Sequence, residues 1–583
     1  MQSLILRRSA GLSLIISFLL VSVCVYAQTD VEQATRETDR FTLEDLEDQL
    51  KRHPTEESSK IGIEGVPLKK DKQKFFIRKI ELIGAESFGP EEFAGIIAKY
   101  TDREVTLSEL DNLTKELEQE HLRLGVIAAV FLPPQEIRRQ TVTLQVVEAR
   151  MGKLRIQDHK YFRKKKLINY WPIPEGQIIR YSKISKALKI MGKNPDREVK
   201  ATLHAGEEEG ATDILLTPET NFPIHLFSTY DREGVVSTGI SRTSIGFRHN
   251  NFLGHDDMLL GGYSFGNNFS GKYIYHNIPI SPRGAYVLYG FSKSESNPKK
   301  QYTSSDLESF ANNASISLHQ DFYEEDEHKG ELYFGFNAKD KTVRRNTGVY
   351  TRDKLRIFRL GGSLKIRRFK SLTTITPEFS QGVDTFGATR RGNPLASRGA
   401  KTVFSKINLK VLQKRNVARN LQLNLKFEAQ TSSTKLTPQE QFRLGGIDSI
   451  RGYPPDDYLA DNAILASAEL LIPSFFIPAR WRMPFAGDSL REQTTALVFL
   501  DYGYGERRGA LPTEEDRVNF LGAGAGLRIR LFNQVFLRLE WGIPVADGTI
   551  TEANHVRFHF SVNFQENLPR EIKRIVKSNR DTK

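Results

Sequence analysis

From Phe222 to Phe564 the chain changes character at every second residue, and helical periodicity nearly vanishes. Successive side chains of a strand point to opposite faces, so strict alternation over many consecutive segments restricts the stretch to β-structure with two unlike faces. In 420–430 the apolar set is Leu421, Leu423, Leu425, Phe427 and Ala429, while Gln422, Asn424, Lys426 and Glu428 take the other face. Leu332, Phe334, Phe336 and Ala338 repeat the pattern, as do Val403, Ile407 and Leu409 against Lys406, Asn408 and Lys410. Val535, Leu537, Leu539, Trp541 and Ile543 alternate with Arg538 and Glu540; Val556, Phe558, Phe560, Val562 and Phe564 oppose Arg557, His559, Ser561 and Asn563. Two architectures give every strand one apolar and one charged face: a sandwich with a wet outer side, and a transmembrane barrel with a wet lumen. Segments of roughly 9–11 residues, long enough to cross a bilayer at a tilt, favour the barrel. So do the long polar connections expected at 292–312, 384–400 and 506–517. At roughly 20 residues per strand and turn, residues 222–564 accommodate on the order of 16 strands.

Averaged composition conceals this. A mean hydropathy of −0.43 reads as a soluble multidomain chain, but a barrel wall turns only alternate residues to lipid. Lys and Arg (84) exceed Asp and Glu (71) for a net charge of +13, yet no basic run with interleaved aromatics marks a nucleic-acid groove, and the surplus is spread along the chain. One cysteine, Cys24, excludes an intrachain disulfide framework or a Cys-ligated metal site. The 12 histidines form no pair at metal-ligand spacing. No metal and no cofactor is expected.

The chain opens with Arg7 and Arg8, an apolar run from Ala10 to Ala27, and small residues at Val25 and Ala27 placed as at a signal-peptidase site. Residues 1–27 are therefore expected to be a signal peptide cleaved after Ala27; the alternative is an uncleaved anchor helix. Residues 28–74 read as a linker with one short helix marked by Phe41, Leu43, Leu46 and Leu50. In 75–150 the order is β-α-α-β-β. A strand over 76–84 precedes a helix over 90–100 with Phe93, Ile96, Ile97 and Tyr100 on one face. A second helix, capped by Thr106 or Ser108, carries Leu110, Leu113 and Leu117; strands over 126–132 and 141–147 follow. Residues 151–218 show a related, weaker pattern, giving two small α/β modules in tandem.

The most unusual segment is Gln441 to Tyr453, reading Gln-Phe-Arg-Leu-Gly-Gly-Ile-Asp-Ser-Ile-Arg-Gly-Tyr. Its core, Gly445, Gly446, Ser449, Ile450, Arg451, Gly452 and Tyr453, closely resembles the Val-Arg-Gly-Tyr loop of the POTRA-plus-barrel superfamily. Phe499, Asp501 and Gly503 resemble that superfamily's Phe-x-Asp-x-Gly strand, and Asn250-Asn251-Phe252-Leu253-Gly254-His255-Asp256-Asp257 resembles its Asn-x-x-Gly-x-x-Asp turn. Two modules ahead of the barrel is the arrangement of the two-partner secretion transporters (TpsB family, as in FhaC and ShlB). The resemblance implies POTRA-like modules at 75–150 and 151–218, a barrel at 222–564 with an inward-folded loop at 442–462, and contact between Arg451 at the loop tip and Asp501 on the wall. An Arg fork meeting a carboxylate in two parallel charge-assisted bonds suits such an anchor. Glu469 in the strand after the loop also resembles the family.

Gly262-Tyr263-Ser264-Phe265-Gly266 matches a nucleophile elbow in letters alone, because consecutive strands surround it where an elbow needs a strand-to-helix turn. No enzyme activity is expected. The terminal strand (Phe558, Phe560, Phe564) precedes a basic tail at 565–583, where chains of the superfamily usually end. The resemblance implies an outer-membrane pore exporting an unfolded secreted protein, in contact with outer-membrane lipid and inserted by the barrel-assembly machinery. Its periplasmic modules would capture the exported chain at a sheet edge near Leu113, Leu117, Val130 and Leu132. The alternative is an assembly factor of the BamA/TamA type.

Overall fold

The computed structural model describes residues 61–62, 74–135, 139–208, 211–324, 327–418, 420–482, 489–510, 514–532, 534–549 and 553–565. Two compact units emerge among the described residues: one holds Ile224–His249 and the chain from Asp257 on, the other the residues from Ile61 to Pro223 together with Asn250–Asp256. The signal segment 1–27, the expected helix at 41–50, most of the linker 28–74 and the tail beyond Gln565 lie outside the described residues.

The first unit is a closed antiparallel barrel of 16 strands. In order they are Ile224–Asp231, Arg242–His249, Met258–Gly266, Phe269–Pro279, Ala285–Ser296, Glu308–Glu324, His328–Arg345, Gly348–Arg368, Ser371–Val383, Phe404–Ala418, Leu421–Ser432, Asn462–Pro473, Thr494–Glu506, Arg517–Leu531, Val535–Pro544 and Arg557–Gln565. Closure comes from the first and last strands, Phe227 to Asp231 pairing with Gln565 to Ser561. Closing the sheet leaves no open edge at membrane depth, where an unpaired backbone group costs several kcal/mol. Strands outrun the expectation at one connection: Ala285–Ser296 extends into the stretch read as a loop over 292–312, so the connection there spans only 297–307.

Burial is inverted relative to a soluble protein, as alternation requires. Leu332, Phe334, Ile407, Val498, Leu500, Tyr502, Trp541 and Phe558 stand exposed on the outer wall, while Asp501, Glu540 and His559 are wholly buried inside. Among the described residues no helix is long and apolar enough to cross a membrane; strands do the crossing. The Gly-x-Ser-x-Gly match falls at the end of strand Met258–Gly266, which turns directly into the antiparallel strand Phe269–Pro279, and this removes the elbow geometry.

In the second unit the N-terminal module differs from the expected order. The strand read over 76–84 breaks at Arg78 into Lys74–Ile77, which pairs with an additional strand Arg103–Thr106, and Lys79–Ile83, which pairs in parallel with Thr141–Glu148. The helix read over 90–100 is a 3₁₀ turn, Pro90–Phe93, followed by one α-turn, Ala94–Ile97. Leu107–Arg123 is the long helix, and Thr106 is its cap. The Thr106 hydroxyl accepts from the Glu109 N–H, and the Glu109 carboxylate accepts from the Thr106 N–H at 2.8 Å.

The capture residues named from the sequence require correction. Leu113, Leu117 and Val130 lie in the module's hydrophobic core with Phe93, Val105 and Leu144, and Leu132 packs against it half-buried. Their helical and strand spacing reflects a core face: fully burying Leu113 or Leu117 stabilises the module by about 1.5–3 kcal/mol, and Leu113, Leu117 and Val130 are closed off from any groove.

The following module is a sheet ordered Ile61–Gly62, Arg197–Ala205, Ala211–Thr220, Arg150–Ile156. Helices Lys164–Asn169 and Tyr181–Met191 cover it, burying Leu167, Ile184, Leu188 and Met191 against Val199, Ile214 and Leu216.

Candidate functional site: the inward-folded loop

Strand Leu421–Ser432 runs in the same direction as Ile224–Asp231, so the long connection that follows leaves the barrel at the end opposite Ile224. It then turns into the lumen. Pro438–Glu440 forms a 3₁₀ turn, and a short hairpin follows in which Phe442–Leu444 pairs with Tyr458–Ala460. Beyond the hairpin the chain narrows to a tip at Ser449 to Tyr453. Ser449 closes the turn: its hydroxyl accepts from the Gly445 N–H at 3.3 Å and its own N–H donates to Gly446 O at 3.1 Å.

The tip is seated in charge and in shape. Arg451, 4% exposed, forks onto Asp501, with Nε at 2.7 Å from Oδ2 and Nη2 at 2.8 Å from Oδ1. Its backbone N–H adds a third bond to Asp501 Oδ2 at 3.1 Å. Nη1 meets Glu469 Oε2 at 2.9 Å and Glu540 Oε2 at 3.1 Å. The guanidinium plane lies 3.5 Å from the centre of the Phe499 ring, a cation–π contact that a desolvated site strengthens. Phe499, Asp501 and Gly503 therefore face the lumen as alternate residues of one strand. Arg528 and Arg538 brace the carboxylates from behind: Arg528 bonds both Glu469 and Glu540, and Arg538 links Glu540 to Asp448 of the loop.

Glycines on both surfaces admit this approach. Gly452 has φ +101°, a conformation that L side chains rarely adopt, and a Cβ there would run into the backbone of Ile543 and Pro544. On the wall, a Cβ at Gly503 would strike Ile450 and one at Gly522 would strike the Arg451 carbonyl. Ile450 and Tyr453 are wholly buried, Tyr453 stacking on Phe520 with ring centres 4.5 Å apart and donating its hydroxyl to Ala546 O at 2.6 Å. The Gly452 N–H donates to His559 Nε2 at 3.1 Å, which leaves Nδ1–H to donate to Glu233 Oε1 at 2.9 Å. Of the terminal-strand aromatics, Phe558 and Phe564 face outward and exposed, whereas it is His559 between them that touches the loop.

The structure thus brings Arg451, Asp501, Gly452, Tyr453, Ile450, Phe499 and Gly503 together. Sequence reasoning missed Glu540, Arg528, Arg538, His559, Glu233 and Gly522. Arg538, Glu540 and His559 were legible as polar-face residues of alternating strands, but choosing among the many inward polar residues needs the strand register, and Glu233 lies beyond the end of its strand.

A second buried ion pair lies in the other unit. Arg197, from the strand of the second module, meets Asp256 bidentately at 2.8 and 2.9 Å. Asp256 also accepts from the Tyr170 hydroxyl at 2.8 Å, and Phe162 flanks the guanidinium at 4.7 Å. In the turn singled out at Asn250 to Asp257, Asp256 is thus the ligand of this arginine, Asn250 bonds Asp196 at 2.7 Å, and Asn251 accepts from the Asp256 N–H at 2.9 Å, while Asp257 bonds His276 at 2.8 Å.

A wet-lumened barrel of 16 strands, plugged by a charged loop, defines an outer-membrane transport pore of the POTRA-plus-barrel kind. Comparison with known proteins agrees. Residues 75–149 match the ShlB-type POTRA domain, and residues 210–529 match the haemolysin secretion/activation protein family ShlB/FhaC/HecB. The chain belongs to that family, the outer-membrane transporters of two-partner secretion. Among relatives, the heme/hemopexin transporter protein HuxB of Haemophilus influenzae strain 86-028NP is 20% identical over 511 residues, 85% of this chain and 87% of its own length. The outer membrane transporter CdiB of Escherichia coli is 23% identical over 409 residues, 67% of each chain. Among solved structures, CdiB from Escherichia coli superposes with TM-score 0.60 at 18% identity, covering 93% of this chain and 98% of that one. BamA from Haemophilus ducreyi lacking POTRA domains 1–3 superposes at 0.55 and 14% identity, covering 84% and 100%. These two likenesses show the fold.

Proposed function

We propose that the loop carrying Arg451 is the gate of this export pore, and that a secreted protein passes through the lumen once the loop leaves its seat. The observation that supports this reading is the Arg451 seat itself, a desolvated guanidinium held by three carboxylates from the wall. Charge clusters of this kind bias which of two arrangements an element adopts, and they release without chemistry. No nucleotide is required for such a step, and folding of the exported chain outside would draw it forward.

Capture in the periplasm is by backbone pairing. In the N-terminal module, Lys79–Ile83 and Ala128–Phe131 flank the sheet. Glu118 already takes the Val130 N–H at 2.9 Å, which favours Lys79–Ile83 as the strand that an extended segment joins. Lipid meets the apolar outer wall, and the barrel-assembly machinery inserts the chain. The two modules act at the membrane without a cofactor or catalysis.

If a large exported protein is encoded beside the gene, deleting the gene and measuring secretion of that protein tests the reading. Loss of that protein from the medium, with other barrels unchanged in the outer membrane, is expected. Normal secretion together with depleted barrel proteins would instead establish the assembly role of the BamA/TamA type.

A further inference from the structure

The same loop has a root as well as a tip, and the root is held by charge of the opposite sign. Glu440, at the end of the turn that Pro438 begins, is 2% exposed. Three cations from three barrel strands converge on its carboxylate: Lys339 at 2.9 Å, Lys406 at 2.6 Å, and Arg359 at 3.2 and 3.3 Å from its two oxygens. Lys406 also donates to the Glu440 carbonyl at 3.2 Å, as does Gln430. All three cations are at most 5% exposed. Glu378 offsets part of their charge by accepting from Arg359 at 2.6 Å and from the Tyr333 hydroxyl at 2.6 Å. Asp461, at the loop's far end, ties the root together by accepting from the Leu436 N–H at 2.9 Å and the Gln441 amide at 3.0 Å.

The two seats occupy different arcs of the wall. Glu440 meets the seventh, eighth and tenth strands, whereas Arg451 meets the twelfth, thirteenth and fifteenth. One loop thus carries a carboxylate into a basic pocket and a guanidinium into an acidic one. We propose that Glu440 is a second latch, a positioning residue that fixes the loop's root, and that opening requires both latches to release. The inference rests on the reading of the loop as the gate and adds to it a defined electrical consequence. Releasing the tip uncovers carboxylates in the lumen, while releasing the root uncovers Lys339, Arg359 and Lys406.

That difference in sign supplies the test. Full-length protein is reconstituted in planar bilayers, and open probability and reversal potential in a KCl gradient are recorded for wild type, Glu440→Gln and Arg451→Ala. Loss of a buried charged hydrogen-bond partner, at about 1.5–3 kcal/mol, corresponds to a rise in the open-to-closed ratio of roughly tenfold or more. Glu440→Gln is expected to show that rise with a shift toward anion selectivity, and Arg451→Ala a rise with a shift toward cation selectivity. Glu440→Asp is expected to restore part of the wild-type closure. Lys406→Met keeps the test decisive if Glu440→Gln fails to insert: it weakens the same seat while removing a cation, and is expected to raise opening without the anion shift. Opening by Arg451→Ala alone, with Glu440→Gln and Lys406→Met both at wild-type conductance and selectivity, would overturn the second latch. If no variant opens the pore, the gate reading itself fails.

Discussion

Replacing Arg451 by Ala removes one partner from a set of four charges, and the structure indicates where the cost falls. Glu469 and Glu540 keep Arg528, and Glu540 keeps Arg538. Asp501 is different: it is wholly buried, and its remaining side-chain donor is the Ser467 hydroxyl at 2.5 Å. Breaking a buried pair in this way costs about 3–5 kcal/mol, chiefly because one charge is left without compensation. With about 1.4 kcal/mol per tenfold, the ratio of seated to unseated loop should fall by roughly a hundredfold to a few thousandfold. The barrel ladder is untouched, so the variant should insert normally and keep its heat-modifiable migration on gels. The assay is thiol labelling of Ser449→Cys at the tip. The wild-type background, where position 449 is partly covered, should label slowly and the Arg451→Ala background fast. Arg451→Lys should fall between, since an ammonium is a point charge that cannot reproduce the planar fork. Exchanging the charges, Arg451→Asp with Asp501→Arg, should not rescue, because the carboxylate moved to the loop tip would face Glu469 and Glu540. Equal protection of the tip in wild type and Arg451→Ala, or full rescue by the exchange, would refute the reasoning.

Three further outcomes follow from the same geometry. Gly522→Val, which places a side chain where the Arg451 carbonyl lies, should raise thiol labelling of the tip as Arg451→Ala does while the barrel still inserts; unchanged labelling would show that the loop seats elsewhere. In the second unit, Arg197→Met should destabilise the turn by about 3–5 kcal/mol by leaving the Asp256 charge without its buried guanidinium, seen as proteolysis at Asn250 to Asp256, with Asp256→Asn retaining part of the resistance. In the N-terminal module, Thr106→Ala should lower helix stability by about 0.5–2 kcal/mol, read from hydrogen exchange at 107–123 in the full chain. Glu109 carries the pH dependence of that cap. The Thr106 N–H, followed by the Arg103 side chain and the Thr106 hydroxyl, lowers its carboxyl from 4.5 to about 2. Because the folded value lies below the unfolded one, its contribution is complete above pH 4.5 and disappears as pH falls toward 2. Protection of these amides should therefore drop in that window in wild type and less in Glu109→Gln.

Alternation carried most of the fold because it reflects a physical necessity. A strand between lipid and water must change polarity at every residue, so Leu425 and Lys426 each announce their face without any knowledge of neighbours. The same regularity explains why a mean hydropathy of −0.43 fits a membrane wall. Local chemistry was equally legible where it acts within a few residues: a helix cap at Thr106 or Ser108, which the structure resolves to Thr106, and Gly452 as a tight turn. Where the sequence misled, apolar spacing was the cause, since Leu113, Leu117 and Val130 repeat at intervals that serve a core as well as a groove, and only burial separates the two.

Residue order was therefore enough for the two-faced strand, the approximate number of strands and the modules ahead of them, while the Arg-Gly-Tyr tip and its carboxylate came from the family resemblance. Which charges meet was settled only in three dimensions. Glu440 precedes Arg451 by about eleven residues, yet the two lie against different arcs of the wall, and the cations that hold Glu440 come from strands about 35 to 100 residues earlier in the chain. A Coulombic pocket depends on distance in space, and in a closed barrel that distance is set by strand order and register, which alternation leaves free.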